Sequence, residues 1–396
     1  MTIFEQVTLA PRDPILGVTE AFKADDRPHK ANLGVGVYTD ESGRVPLLEC
    51  VKQAEARIAA DAAPHVYLPI DGLPSYNAAV KELVFGPDDE LAGRVATIQA
   101  LGGTGALKIG AEFLRGIDPA AKVLVSDPTW ENHTALFSRA GFNVGTYRYY
   151  SAGQGGLDFE GMLSDIGQAA PGTIVVLHAC CHNPTGYDLD AGQWRQVADA
   201  VQERQLVPFL DMAYQGFAQG VAADGAVVAE FAKRPLALLV STSFSKSLSL
   251  YGERVGALSI VASDADEAAR VLSQAKVCVR TLYSNPPTHG ALAASLVLTD
   301  PDLRELWDAE LGQMRDRIKA LRGELVEALR QAGASRDFSF FAEQVGMFSY
   351  TGLGAEQMRQ LRERYAVYGT DAGRICVAAL NRGNLPMVAQ AIAAVV

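Results

Sequence analysis

The spacing of apolar and polar positions changes character along this chain. Residues 15–24, 48–60 and 76–85 carry apolar side chains at helical intervals. From about residue 95, short continuous apolar runs take over, at 95–100, 122–126, 173–178, 207–210, 236–240 and 255–261. They are rich in Val, Ile and Leu and too short for helices, which predicts buried strands. Helical spacing returns between most of them. Strand, loop and helix in repetition predict an α/β domain built on a mostly parallel sheet. Helical patterns then cover 264–279, 289–298 and 302–331, the last long enough to join two domains. Residues 332–396 mix short strands (346–350, 374–378) with helices (355–364, 386–395) and predict a smaller α+β domain. Residues 1–12 show no periodicity and predict an extended arm. Asn32-Leu33-Gly34-Val35-Gly36-Val37-Tyr38 predicts a strand-like piece with two glycines. The expected division is an arm at 1–12, a large domain at 48–310, and a small domain from 13–47 with 311–396. No repeat or low-complexity tract interrupts it.

Several chemically distinctive residues follow the carboxyl ends of predicted strands: Gly103, Trp130, Asn183, Asp211 and Lys246. In an open α/β sheet those ends line the ligand crevice. The 236–240 run leads into Ser243-Phe244-Ser245-Lys246, with Arg254 eight positions beyond the lysine. Hydroxyls and an arginine hold a phosphate by charge-assisted hydrogen bonds. A lysine beside that positive charge has its pKa lowered and is free to form a Schiff base. A solvated loop lysine is the plain alternative. Gly102-Gly103-Thr104-Gly105 opens a predicted helix, whose N-terminal amides attract an anion. It is neither a Walker loop nor a complete dinucleotide fingerprint. Asp211 ends a buried strand, where a carboxylate needs a cation or donors; a protonated pyridine nitrogen would serve, as would a helix N-cap role. Trp130 offers a flat face to a ring or to the core. Asn183 and Tyr214 can donate to a phenolate-like oxygen, although Asn183-Pro184 also suits a turn. Arg374 enters an apolar strand, which suggests a planar anionic partner, either a substrate carboxylate or a structural carboxylate. Arg280 is a second clamp candidate, or a surface arginine.

Composition narrows the classes. The 396 residues are 48% hydrophobic and 20% charged, with a net charge of −11. That is ordinary for a globular enzyme and unsuited to nucleic acid or an anionic membrane surface. No window approaches the ~20 apolar residues of a membrane span, and Met1-Thr2-Ile3-Phe4-Glu5 lacks the features of a signal peptide. Five cysteines without framework spacing fit a reducing cytoplasm. Cys180-Cys181 lacks metal-ligand spacing and ends an apolar strand, so both read as small buried fillers; no metal is expected.

Together these residues resemble the fold-type I, pyridoxal-phosphate-dependent class I aminotransferases, in their aspartate and aromatic (tyrosine) branch. The resemblance runs from Asp13-Pro14-Ile15-Leu16 to the C-terminus. It is carried by Asn32-Leu33-Gly34-Val35-Gly36, Gly102-Gly103-Thr104-Gly105-Ala106-Leu107, Pro128-Thr129-Trp130-Glu131-Asn132-His133, Cys180-Cys181-His182-Asn183-Pro184-Thr185-Gly186, Asp211-Met212-Ala213-Tyr214-Gln215-Gly216-Phe217 and the Lys246 stretch. It implies that Lys246 carries pyridoxal 5'-phosphate and moves a proton between substrate Cα and cofactor C4′. It implies Asp211 on the pyridinium nitrogen, Asn183 and Tyr214 on the phenolic oxygen, and Trp130 stacked on the ring with His133 near it. Gly103, Thr104, Ser243, Ser245 and Arg254 would hold the phosphate, joined by Tyr67 from a second subunit of a homodimer. Arg374 would bind the α-carboxylate, Arg280 from the other subunit a side-chain carboxylate, and Gly36 would lie against the substrate.

Within that resemblance, Tyr67-Leu68-Pro69 and Arg374-Ile375-Cys376-Val377-Ala378 look like the aromatic branch; Val37, Thr104 and Asn285 look like the aspartate enzymes. Leu282 departs from both and makes the surroundings of Arg280 less polar. The expectation is dual specificity, for tyrosine and phenylalanine as well as aspartate and glutamate, with 2-oxoglutarate as the acceptor in a ping-pong reaction. The rivals are a dicarboxylate-only aspartate aminotransferase and another pyridoxal-phosphate chemistry. A nicotinamide oxidoreductase lacks its fingerprint here, and a regulator would need a basic helix-turn-helix segment for which no spare length is expected.

Overall fold

The computed structural model describes residues 2–11, 13–153 and 155–396. The chain forms two compact units: Val45–Lys319 with Glu343–Gly346, and Met1–Arg44 with Ala320–Ala342 and Met347–Val396. The division falls inside the helix Pro301–Gln331.

The larger unit is built on seven strands: β1 (Val95–Leu101), β2 (Lys122–Asp127), β3 (Asn143–Arg148), β4 (Ile174–His178), β5 (Val207–Met212), β6 (Leu238–Ser243) and β7 (Val255–Val261). Their order in the sheet is β1-β7-β6-β5-β4-β2-β3. Neighbouring pairs from β6 to β3 run parallel, and β7 runs antiparallel to both β1 and β6. The sheet is therefore mostly parallel, with one reversed strand. β4 to β7 are buried almost throughout, which is why they read as continuous apolar runs. β3 has no such run because only Tyr147 in it is buried; it is an uncovered edge strand, whereas β1 at the other edge is buried almost throughout. Helix Gly102–Ile117 packs Leu107, Ile109, Phe113 and Leu114 into one core with Ile98, Val123, Phe209 and Leu258 of the sheet. At about 25 cal/mol per Å² of apolar surface, such side chains stabilise by roughly 1.5–3 kcal/mol each.

Two expectations need correction. The strand predicted at 236–240 runs from Leu238 to Ser243, so Ser241, Thr242 and Ser243 lie inside it. Pairing on both sides, to β5 and β7, extends the strand through hydroxyl residues that local hydropathy treats as loop. Of the strand-like piece expected at 32–38 only its start is strand: Ala31–Asn32 pairs parallel with Val367–Tyr368. Beyond it Leu33 N–H donates to the Tyr368 carbonyl at 2.7 Å and then the ladder stops. Gly34 and Gly36 continue as irregular chain against Val18 and Phe348, where a Cβ would come within 2.6 Å of each. Glycine here serves close approach rather than a sheet.

The rest of the smaller unit follows the expected α+β pattern. Strand Phe348–Tyr350 pairs antiparallel with Arg374–Cys376, flanked by helices Ala355–Tyr365 and Leu385–Ala393. The expected arm contains a short 3-10 turn, Ile3–Gln6, and exposes Ile3, Phe4, Val7 and Leu9; Met1 and Arg12 lie outside the described residues. No helix among the described residues is long and apolar enough to cross a membrane.

Candidate active site

One cavity at the carboxyl end of the sheet is lined by Gly103, Thr104, Trp130, Asn183, Asp211, Tyr214, Ser243, Ser245, Lys246 and Arg254, together with His178 and Ala213. Segments after β1, β2, β4, β5 and β6 deliver most of these side chains, while His178 and Ser243 are the last residues of β4 and β6 and Asp211 is the penultimate residue of β5. This is the crevice that a parallel sheet creates where its loops diverge.

The anion end is built from backbone. Gly102 N–H donates to the Arg254 carbonyl at 2.9 Å, which ties the start of helix Gly102–Ile117 to the turn before β7. Gly102 has φ +67°, and a Cβ there would lie 2.6 Å from Arg254 Nη2. Only glycine meets both demands without strain. Arg254 itself sits at φ +57°, an uncommon conformation for a side-chain-bearing residue. Its guanidinium donates to the Tyr251 carbonyl (3.1 Å), Ser245 Oγ (3.4 Å) and the Leu101 carbonyl (3.5 Å). Ser243 Oγ accepts from Ser245 N–H at 3.3 Å. A helix N-terminus, two hydroxyls and a guanidinium converge, the donor set for a phosphate.

Asp211 lies deeper and is buried. Its Oδ2 is 3.0 Å from His133 Nε2, and His133 Nδ1 is 2.8 Å from Thr129 Oγ1. Burial pushes the Asp211 carboxyl up, but the His133 hydrogen bond and the Lys246 charge outweigh it and hold the group below its ordinary value. Asp211 is thus a buried anion lining the cavity. His178, beside His133 with ring centroids 4.9 Å apart, is buried, and neither ring nitrogen has a hydrogen-bond partner among the described residues. Burial, then repulsion from His182 and His133, drives its pKa far down, so it lines the cavity as a neutral ring. Nothing in the local sequence around His178 distinguished it from a core residue ending a strand.

Lys246 Nζ stands 5.0 Å from the centre of the Tyr214 ring. Its loop is fixed from below: Phe244 N–H donates to the Val255 carbonyl at 3.0 Å, and the buried Trp307 indole N–H donates to the Ser247 carbonyl at 2.7 Å. Trp130 meets His133 edge to face at 5.3 Å. The arrangement offers an amine, an anion, a flat aromatic face and a phosphate cradle in one pocket.

These are the parts that pyridoxal phosphate requires, and the comparisons with known proteins agree. Residues 28–392 match the family model described as aminotransferase class I and II. The chain belongs to this family. It is 57% identical over 395 residues to an aspartate aminotransferase of Pseudomonas aeruginosa, covering 99% of each chain. It is 48% identical over 398 residues to an aromatic-amino-acid aminotransferase of Escherichia coli K12, covering 99% of this chain and 100% of the relative. Among solved structures, it is similar to an aromatic-amino-acid aminotransferase from Burkholderia pseudomallei covalently bound to pyridoxal phosphate. That likeness has a TM-score of 0.97 and 60% identity and covers 100% of both chains. The aminotransferase therefore has the fold-type I architecture and takes pyridoxal phosphate as its cofactor. The orphaned ring of His178, the Gly102 close approach and the buried anion of Asp211 fit that group.

Four further site residues are expected. Tyr67, 92% exposed, and Arg280 do not line this cavity in the single chain. Arg280 donates to Ser284 Oγ and forms no ion pair among the described residues. Gly36 and Arg374 belong to the smaller unit. Arg374 is buried, its Nη2 donates to the Gly34 carbonyl at 2.6 Å, and its guanidinium lies 4.3 Å from the centre of the Phe348 ring.

Proposed function

We propose that this aminotransferase accepts both aromatic donors (tyrosine, phenylalanine) and dicarboxylic donors (aspartate, glutamate) and passes the amino group to a 2-oxo acid such as 2-oxoglutarate. The observation that carries the reading is the setting of Arg280. Its exposed guanidinium is tethered by one neighbouring hydroxyl, and Leu282, two residues on, is exposed as well. A guanidinium so loosely held can meet a side-chain carboxylate and can also turn aside for a ring beside an apolar neighbour. A relative named for aspartate at 57% identity and a solved structure named for aromatic amino acids at 60% support the same breadth.

The bound cofactor supplies the electron sink for the bond broken at the substrate Cα. The chain's own residues do the rest. Lys246 Nζ holds and returns the proton at Cα, its position set by the Ser247 and Phe244 anchors. Asp211, kept ionised and oriented by His133, holds a proton on the pyridine nitrogen. Asn183 and Tyr214 would donate to the phenolic oxygen of the bound cofactor, and Trp130 would offer its ring an apolar face. Gly103, Thr104, Ser243, Ser245 and Arg254 anchor the phosphate. Arg374 receives the α-carboxylate as a planar bidentate partner, with Gly36 against the substrate.

The reading includes a homodimer in which Tyr67 and Arg280 serve the partner subunit's site. It is supported by the exposed apolar side chains of Ile3, Phe4, Val7 and Leu9 in the arm and of Val66 and Tyr67, which a partner surface would cover. Light scattering checks the dimer. Steady-state kcat/KM for the four donors with 2-oxoglutarate tests the substrate range. Turnover of both classes is expected; turnover of aspartate and glutamate without tyrosine or phenylalanine would reduce the enzyme to a dicarboxylate aminotransferase.

A further inference from the structure

The spacing of Cys180 and Cys181 argues against a metal site, since adjacent residues rarely supply two ligands. The fold adds what spacing does not show. Asp224, on helix Val221–Ala232 after β5, brings a carboxylate to the pair. One ligand atom from each of Cys180, Cys181 and Asp224 lies within 4.8 Å of the other two, and all three residues are buried. They are distinct from His133, His178 and Asp211, which belong to the active site.

The surroundings suit a cation. A cavity of about 300 Å³ is lined by Cys180, Asp188 and Asp224, so the cluster has an entry path and a second carboxylate beside it. The Asp224 carboxylate is held in place by N–H donors of Gly216 (2.8 Å), Ala218 (3.0 Å) and Gln219 (2.8 Å). A carboxylate has about four acceptor positions, which leaves one for a further partner. Asp188 accepts N–H from Cys181 (2.7 Å) and His182 (2.9 Å), fixing the backbone of the cysteine pair. Cys181 has φ +52°, so the turn that places both sulfurs together is itself unusual. Burial pushes the Cys181 thiol well up, which makes the pair a poor nucleophile. Exchange of protons for a metal is a different matter.

We propose that Cys180, Cys181 and Asp224 form a binding site for a thiophilic divalent cation of the zinc class, reached through this cavity. Two S–H bonds break, two metal–sulfur bonds form, and two protons leave to solvent. The ion's two positive charges replace those of the two protons, so the net charge of the buried cluster is unchanged and no uncompensated charge is left behind. The carboxylate supplies a third ligand, and a water in the cavity the fourth, as in an open tetrahedral site. Zinc–sulfur bonds of about 2.3 Å in a tetrahedron put ligand atoms a little under 4 Å apart, so the cluster needs only a modest closure.

Co²⁺ is the probe, added to the reduced holoenzyme and followed in the red region, where the bound cofactor does not absorb. The expected result is the strong absorption of tetrahedral Co²⁺, saturating at one ion per chain, bleached by Zn²⁺ and accompanied by release of two protons. Cys180→Ser abolishes it, while Cys278→Ser, which removes a half-buried thiol outside the cluster, keeps it. No such absorption in the unsubstituted enzyme, or the same absorption in Cys180→Ser, would overturn the proposal. If Cys180→Ser does not fold, X-ray absorption of the Co²⁺-loaded enzyme decides: two sulfur neighbours support the site, and a purely nitrogen and oxygen shell rejects it.

Discussion

Gly102→Ala separates the phosphate cradle from the rest of the site. The added Cβ would stand 2.6 Å from Arg254 Nη2, and the backbone would hold an alanine at φ +67°. The left-handed conformation costs about 1–2 kcal/mol for a residue with a Cβ, which appears as lower stability of the apoenzyme. The contact is with the end of a long side chain, so the guanidinium moves rather than the backbone. Displaced, it gives up a charge-assisted hydrogen bond to the phosphate, about 1.5–3 kcal/mol. Since every 1.4 kcal/mol is tenfold, the cofactor Kd should rise roughly 10- to 150-fold. Titration of pyridoxal phosphate into apoenzyme, followed by cofactor absorbance, measures the second effect, and thermal unfolding of the apoenzyme measures the first. At saturating cofactor kcat should be close to that of the parent, because Lys246 and Asp211 are untouched. An unchanged cofactor affinity, with the variant folded, would refute the placement of Arg254 on the phosphate.

Arg280→Ala should lower kcat/KM for aspartate by about 10- to 100-fold or more, on the scale of a lost charged pair, and leave tyrosine nearly unchanged; equal losses on the two donors would remove Arg280 from the specificity site. Trp307→Phe leaves the buried Ser247 carbonyl without its donor and should cost roughly 1–3 kcal/mol in denaturant unfolding, so an unaltered unfolding midpoint would show that the indole does not brace the Lys246 loop. His133→Phe removes the hydrogen bond that lowers the Asp211 pKa. A carboxylate with a depressed folded pKa contributes stability above its unfolded pKa and loses it as pH falls through the folded pKa. The acid limb of activity should therefore move to higher pH in the variant, and a pH profile of kcat/KM identical to the parent's would count against the pairing.

The part of the fold that was legible in the sequence is the part where burial and periodicity coincide. β4, β5 and β7 are buried on both faces, so their apolar runs announce them. β3 was silent because at its edge most residues are exposed, unlike β1 at the other edge, which is covered. β6 was misplaced because Ser241 to Ser243 are strand residues held by pairing, which local hydropathy does not register. The glycines at 34 and 36 looked like strand and proved to be close-packing positions against Val18 and Phe348. In the site, Asp211 and Lys246 stood out because a charged residue at the end of an apolar strand needs a reason. His178 did not, because a histidine closing a strand is ordinary until its two nitrogens prove to be unpartnered. The carboxylate near Cys180 and Cys181 could not be read either, since topology brings Asp224 to them from a distant helix.

The substrate range is tested most directly by half-reactions. The enzyme loaded with pyridoxal phosphate is mixed with tyrosine, and separately with aspartate, without an acceptor, while the absorbance of the bound cofactor is followed. The account predicts that both donors convert the chromophore and that 2-oxoglutarate restores it in each case. Conversion by aspartate alone would contradict the dual range, and conversion by neither would contradict the assignment of Lys246 and Asp211 to the reaction.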